Sequence, residues 1–422
     1  MKKYKVLWFS PTDIASDSSS QKRGWVNSLL NEIKEDIELH VAVIEGQDNQ
    51  PIQGVTKHVI KARKRKLRQV LHLLYGHRNI EGNLMVSFKE LIDRVKPDLV
   101  HLHGSEKQYI QTVPYLNARG IPHLVSLQGI VSIISRKYIA GYSKRFVHTF
   151  ITHKGFSKSS ILPKTNANIY AALKRHAAVE DRILQSVQNF AGRTEWDASI
   201  AALLSPKSNY FKVGRAMKAV YYENHWDKLR VIDKEIIIHT TTGNSFYKGF
   251  EVIAEAAYLL QRCGFLVKWQ IAGLTRKDWS VRAAERKLKK RFNDSAFVFL
   301  GSIGADEVVK NMKEADIYVT ASHIENSPNN LAEAQLLGMP CIATDVGGTS
   351  SYLTNNETGV LIPSADPYRL AGAIKSLSEN FDLREELANK SRLVALERHN
   401  KQAIKASLLS AYKSIINSKK NI

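Results

Sequence analysis

The sequence predicts an α/β chain of two Rossmann-like domains with parallel sheets, and three observations carry that prediction. Short apolar runs, such as Tyr4 to Ser10, Pro97 to Gly104 and Ala315 to Thr320, have the length and composition of strands buried on both faces. Stretches of helical period lie between such runs. In Leu84 to Val95, for example, Leu84, Phe88, Leu91, Ile92 and Val95 share one face. A chain of 422 residues is long enough for two domains of ordinary size.

Composition narrows the class. Hydrophobic residues make up 44% and charged residues 24%, which are globular values. The two cysteines, Cys263 and Cys341, stand in apolar contexts and are predicted to be buried. No disulfide framework and no metal-ligand spacing occurs, which fits a reducing compartment. The N-terminal apolar run is too short for a signal peptide, and no apolar stretch reaches the length of a membrane span. A cytoplasmic placement is expected.

The formal charge of +21 calls for an anionic partner: nucleic acid, anionic lipid or a phosphorylated substrate. Its distribution favours lipid. The region Lys57–Arg78 holds Lys61, Arg63, Lys64, Arg65, Lys66 and Arg68 and no acid, interleaved with Leu67, Val70, Leu71 and Tyr75. That mixture reads as an interfacial segment on anionic lipid. A plain solvated charge run is the competing reading. A second basic and aromatic region spans Arg136–Lys174.

The elements follow in order. Tyr4 to Ser10 is a first strand, and a long polar loop leads to Gly24-Trp25, which opens a helix where such domains meet their ligands. Leu39 to Ile44 is a second strand. The strand from Pro97 ends in a loop carrying His103 and Glu106, and that from Ile121 ends at Gln128-Gly129. Ser186 to Ala191 is a short strand that places Arg193 at a carboxyl end. There it is poised for an acceptor phosphate, with a salt bridge to Glu195 or Asp197 as the competing reading. Asp197 begins or caps a helix. The boundary falls near Asp227, giving an N-terminal domain over 1–227, a C-terminal domain over 228–396 and a last helix over 397–422 that returns to the first domain.

The second domain opens with the strand Glu235 to Thr240. Its loop, Thr241 to Phe250, carries Gly243, Asn244, Lys248 and Gly249. Glycine and lysine at a strand-to-helix turn suit a diphosphate, and a Walker P-loop is excluded because its pattern is missing. Arg276 to Arg291 is predicted as a basic helix between strands at Leu266 to Gly273 and Phe297 to Leu300. From Ala315 to Thr344 the chain reads strand, loop, helix, strand, with Gly338 as the helix stop. Glu325 lies in the loop and Glu333 is predicted in the first helical turn. Between them Ser327, Pro328, Asn329 and Asn330 form a helix start whose N–H groups attract phosphate. Two carboxylates beside such a start suit a ligand bearing both phosphate and sugar. The alternative is a solvated loop acid and a helix-dipole partner.

These motifs carry a family resemblance. E-x7-E from Glu325 to Glu333, G-x-P at Gly338 and Pro340, and D-V-G-G from Asp345 to Gly348 resemble a retaining glycosyltransferase of family 4. E-N-S-P-N-N-L-A-E-A, S-L-Q-G and G-R-T-x-W-D resemble the branch that builds bacterial capsular and exopolysaccharides. The resemblance implies the GT-B architecture, two Rossmann-like domains facing each other across a cleft. It also implies a hexosyltransferase that moves sugar from a nucleotide diphosphate sugar to a lipid-linked glycan acceptor, with retention and with no metal or other cofactor. In that frame Glu325 holds the donor sugar and balances oxocarbenium charge, and Lys248 carries the leaving diphosphate. Glu333 holds the ribose. Gly24, Asn244, Ser327, Pro328, Asn329 and Asn330 complete the donor site, while His103, Glu106 and Arg193 face the acceptor. Three positions depart from the pattern. Arg23-Gly24-Trp25 stands where Gly-Gly-Trp is frequent, catalytic Gln128 where many relatives carry His, and Asn244 where many carry Arg. Lys57–Arg78 and Arg136–Lys174 would dock the enzyme peripherally on the anionic inner face of the cytoplasmic membrane, with no nucleic acid as partner. The rival readings are a nucleotide-sugar epimerase or other GT-B enzyme, and a basic nucleic-acid binder.

Overall fold

Strand order explains where ligands can bind. In the computed structural model the described residues are 3–14, 25–44, 52–61, 78–150, 166–228 and 230–420. The described residues divide between two units, one comprising Met1–Ser132, Lys174–Ala216 and Asn400–Ile422, the other Ile133–Leu173 and Met217–His399.

In the first unit the strands are β1 (Lys5–Phe9), β2 (Glu38–Ile44), β3 (Val55–Ile60), β4 (Leu99–His103), β5 (His123–Ser126), β6 (Asn189–Gly192) and β7 (Asn209–Lys212). They form one parallel sheet in the order β3-β2-β1-β4-β5-β6-β7. The order reverses between β1 and β4, and such a reversal opens a crevice beyond the strands' carboxyl ends. β1 is apolar because both faces are covered. On one face Trp8 packs with Val26, Leu29, Leu30 and Ile33 of the helix Trp25–Ile33, and with Leu408 and Tyr412 of the helix Lys401–Lys420. On the other, Phe9 meets Phe88 edge-on at 5.4 Å. A buried polar chain locks the C-terminal helix to the sheet. Trp8 Nε1 donates to the Tyr412 hydroxyl (2.8 Å), which also bonds His101 Nδ1 (2.6 Å), and His101 Nε2 bonds Ser126 Oγ (2.7 Å).

In the second unit β8 (Glu235–Thr241), β9 (Leu266–Ala272), β10 (Phe297–Gly301), β11 (Ile317–Thr320), β12 (Cys341–Thr344) and β13 (Val360–Ile362) form a parallel sheet in the order β10-β9-β8-β11-β12-β13. Here the reversal lies between β8 and β11. Ile236, Ile238, Trp269, Ile271, Ile317 and Val319 pack against Phe250, Ile253 and Leu260 of the helix Phe250–Arg262. This is the α/β, two-sheet Rossmann-like architecture that the apolar runs predict.

Several expectations are corrected. The described residues of 133–173 pack with the second unit, not with the N-terminal half. Aromatic residues decide this: Tyr142 lies 4.5 Å from Phe246, Phe246 meets Trp279 at 4.7 Å, and Tyr138 and Phe150 join the same cluster. Gly141 has φ of 80°, a conformation that favours glycine, and a Cβ there would lie 1.9 Å from Glu251 Oε1. The start of the basic segment 57–78 is the sheet edge β3, and Lys57 pairs with Asp13 at 2.7 Å. Residues 62–77 of that segment and 151–165 of the second basic region lie outside the described residues. The helix expected over Arg276 to Arg291 is shorter, Trp279–Leu288, with a 3-10 turn at Lys289–Arg291. Cys341 is buried but Cys263 is exposed, since it follows the last residue of its helix.

Candidate active site

Two loops at the second unit's switch point bring the chemistry together. The first leaves β8 and carries Lys248, followed by Gly249. Gly249 has φ of 71°, and a Cβ there would stand 1.9 Å from the Ala321 carbonyl oxygen. A side chain is thus excluded, and the loop lies directly on the chain leaving β11. From the other side, Gly347 has φ of 55° and a Cβ would stand 1.9 Å from the Glu325 carbonyl oxygen, which accepts from Gly348 N–H at 3.0 Å. The glycines of K-G and D-V-G-G thereby hold the Glu325 loop from both sides.

The result is an ion pair at the ends of the two strands that flank the reversal. Lys248 Nζ lies 2.5 Å from Glu325 Oε1, and Ser322 Oγ donates to the same oxygen at 2.7 Å. The Lys248 and Glu325 side chains are 24% and 12% exposed, so both still reach solvent. Burial works against the ammonium, but the Glu325 carboxylate and the Tyr247 phenol outweigh it and raise the Lys248 pKa. Lys248 therefore stays cationic. A buried pair anchors the same loop: His323 Nε2 lies 2.8 Å from Glu251 Oε1, and His323 N–H donates to the Tyr247 carbonyl at 2.7 Å.

The helix predicted after Glu325 spans Asn329–Leu337, with Pro328 as its N-cap and Gly338 closing it at φ of 79°. Ser327 is buried, and Asn329 and Asn330 are half-buried. Asn330 Nδ2 donates to the Thr241 carbonyl at 2.6 Å, tying the helix start to the end of β8. Glu333 is the helix's fifth residue, beyond the predicted first turn, and its carboxylate accepts from the buried Tyr221 hydroxyl. Burial and then the Glu333 charge push the Tyr221 pKa up, so the phenol keeps its proton.

The Asn244 amide bridges to the neighbouring loop and helix. Its Nδ2 donates to Asp278 Oδ1 (2.8 Å) and its Oδ1 accepts from Ser280 N–H (3.0 Å), so its amide holds the start of the helix Trp279–Leu288. A shorter side chain than arginine suits that bridge.

The predicted residues of the first unit also gather at carboxyl ends of strands. His103 ends β4 and is fully buried, between Trp8 (4.4 Å), His101 (3.8 Å) and Trp25 (5.5 Å). Burial, and with it the charges of Arg193 and Arg215, lowers its pKa well below the usual value, so the ring is neutral. Glu106 is half-buried, with one carboxylate oxygen unpartnered among the described residues; desolvation raises its pKa. Gln128 accepts from Arg215. Arg193 donates to the Leu127 carbonyl, and its N–H goes to Asp197 Oδ2 at 3.1 Å. Asp197 completes a capping box with Thr194. Gly24 lies outside the described residues. Sequence reasoning missed Arg215 and the bond from Tyr221 to Glu333. Tyr221 stands in the run Tyr221-Tyr222-Glu223-Asn224-His225-Trp226, which carries no local signal for a carboxylate partner.

The chain is similar in sequence and in fold to known proteins. Residues 223–394 match the family model described as glycosyl transferases group 1, a stretch that holds Lys248, Glu325 and Glu333. The D-inositol 3-phosphate glycosyltransferase of Acidothermus cellulolyticus is 32% identical over 104 residues, 25% of this chain and 23% of that protein. The capsular polysaccharide biosynthesis glycosyltransferase CapM of Staphylococcus aureus is 23% identical over 176 residues, 40% of this chain and 43% of that protein. The chain thus spans less than half the length of these curated relatives. Among solved structures, the sucrose-phosphate synthase of Thermosynechococcus elongatus aligns with a TM-score of 0.71 at 16% identity, over 98% of this chain and 99% of that one. Anabaena Alr3699/HepE in complex with UDP-glucose aligns at 0.64 and 14% identity, over 97% and 100%. The fold is that of the GT-B glycosyltransferases, two parallel-sheet Rossmann-like units.

Proposed function

We propose that this protein transfers a sugar from a nucleotide diphosphate sugar to a glycan acceptor. The carrying observation is the Lys248–Glu325 pair at the β8–β11 reversal, within the stretch that matches group 1 glycosyltransferases. Charge builds on the departing diphosphate as the sugar leaves. Lys248 and the N–H groups around Ser327 to Asn330 meet that charge, which is where fixed dipoles and cations lower a barrier most. Glu325 accepts from the donor sugar's hydroxyls, and Glu333, aligned by Tyr221, accepts from the ribose.

The finer reading is retention at the anomeric carbon, a hexose donor, no metal, and a lipid-linked oligosaccharide acceptor in surface polysaccharide synthesis. Its supports are the E-x7-E frame and the likeness to CapM and to the putative colanic acid biosynthesis glycosyltransferase WcaL of Salmonella typhimurium. No helix among the described residues is long and apolar enough to cross a membrane. The net charge of +21 supports peripheral docking on anionic lipid.

A panel of nucleotide sugars tested by thermal shift identifies the donor, since a bound donor stabilises by mass action. Product analysis with and without a lipid-linked acceptor then separates transfer from epimerisation. An altered sugar from donor alone would overturn the transferase reading. Neutralising Lys61, Arg63, Lys64 and Arg65 should abolish liposome binding; unchanged binding would remove the membrane role from that segment.

A further inference from the structure

The first unit has its own reversal, between β1 and β4, and a set of nitrogen donors converges there. His103, the last residue of β4, is fully buried, yet neither ring nitrogen has a hydrogen-bond partner among the described residues. Leaving buried polar atoms unmatched costs free energy, on the order of 1–3 kcal/mol each, and in a crevice it marks a place where a ligand completes the bonding. Two guanidinium groups share the neighbourhood. Arg215 is 5% exposed, lies 4.7 Å from the Trp25 ring centre and donates to Gln128. Arg193 follows β6, is half-buried and donates to the Leu127 carbonyl.

Both arginines lie close enough to disfavour a proton on His103. The positive potential that repels an imidazolium attracts an anion. Of the nearby acids, Glu180 accepts from Ser105 Oγ (2.6 Å) and from Ser132 N–H (2.8 Å) at the start of the helix Val131–Lys137, and burial raises the Glu106 pKa, which favours its uncharged form. Gln128, Arg193 and Trp25 are half-buried and give the group an open rim.

We propose that His103, Arg193, Arg215 and Gln128 form a phosphate site in the first unit that reads a phosphate group on the acceptor. Guanidinium groups match the geometry of phosphate oxygens, and a neutral imidazole supplies one more N–H. Arg215, which no motif marks, is the central donor. Calling the ligand an acceptor rests on the glycosyltransferase reading; the anion site itself does not.

The test uses the full chain and inorganic phosphate, followed by thermal unfolding and by 31P line broadening at matched ionic strength. Lys248→Ala silences the second unit's candidate diphosphate site. In that background phosphate should still stabilise the protein and broaden its own signal. Arg193→Gln, at a half-buried position, should weaken binding roughly 10- to 100-fold, the loss expected for a charged hydrogen bond. Arg215→Gln should abolish it, and Arg215→Lys should restore part of it. The site is refuted if Lys248→Ala removes the phosphate response, or if Arg193→Gln and Arg215→Gln leave it intact. An equal response to acetate refutes the phosphate assignment. Failure of the transferase reading shows separately, as no stabilisation of the parent protein by any nucleotide sugar.

Discussion

The Tyr221 hydroxyl donates to the Glu333 carboxylate from a buried position just before the stretch that matches group 1 glycosyltransferases. That contact sets the half-buried Glu333 beside a group that remains protonated. Tyr221→Phe removes the donor and keeps the ring. In the proposed function Glu333 contacts the ribose in ground and transition states alike. The variant should therefore raise the donor KM about fivefold, the worth of about 1 kcal/mol, with little change in kcat. A fall in kcat at constant KM would show that Tyr221 acts on the chemical step instead.

Lys248 and Glu325 form one unit, so their losses should not add. Lys248→Ala strips charge from the leaving diphosphate and should lower kcat on the order of 100- to 1000-fold. Glu325→Gln keeps the shape and should cost a comparable factor. Because each leaves the other without its charged partner, the double variant Lys248→Ala/Glu325→Gln should be less impaired than the product of the single effects. A coupling of roughly 1–3 kcal/mol is expected from a double-mutant cycle. Strict additivity would mean that the 2.5 Å pair does not persist in the donor complex.

Much of this was legible in the sequence because the relevant signals are local. Apolar runs mark the strands, and Gly249 and Gly347 mark where one loop must lie on another's carbonyl. The unread parts depend on distance along the chain. Asn244 looks like a ligand residue until Asp278 and Ser280, more than thirty residues on, occupy its amide. Residues around Tyr138 and Tyr142 look like part of the N-terminal half until Phe246 and Trp279 supply their aromatic neighbours. Arg215 carries no motif; its place over Trp25 and beside Gln128 emerges only when β1, β5 and β7 are laid into one sheet.

Asn244 separates structure from binding. Asn244→Ala removes the acceptor for Ser280 N–H at the start of the helix Trp279–Leu288 and should cost about 1 kcal/mol of stability, as loss of a helix cap does. Donor affinity of the folded protein should be unchanged. Denaturant unfolding and donor titration check both halves. A donor affinity reduced tenfold with unchanged stability would return Asn244 to the binding site.

Buried histidines should set the acid limb of stability. Burial lowers the pKa of His101 to about 3 and that of His239 to about 4, from an ordinary 6.5. His101 lies between Tyr412 and Ser126, and His239 between Gln270 and Thr241. In the folded state both stay neutral until the pH reaches those values, whereas the unfolded chain takes up the protons near 6.5. The unfolded state therefore binds more protons across that window, and stability falls as the pH drops. Above pH 6.5 the contribution is fully present; towards pH 4 it is lost, at a limiting slope of about 1.4 kcal/mol per pH unit for each histidine. Urea midpoints at pH 7.5, 6 and 5 measure the slope, and His239→Asn should flatten it by about one histidine's share while lowering stability at pH 7.5. Parent and variant curves that stay parallel would show that His239 takes up no extra proton on unfolding, and that the acid limb belongs to carboxylates instead.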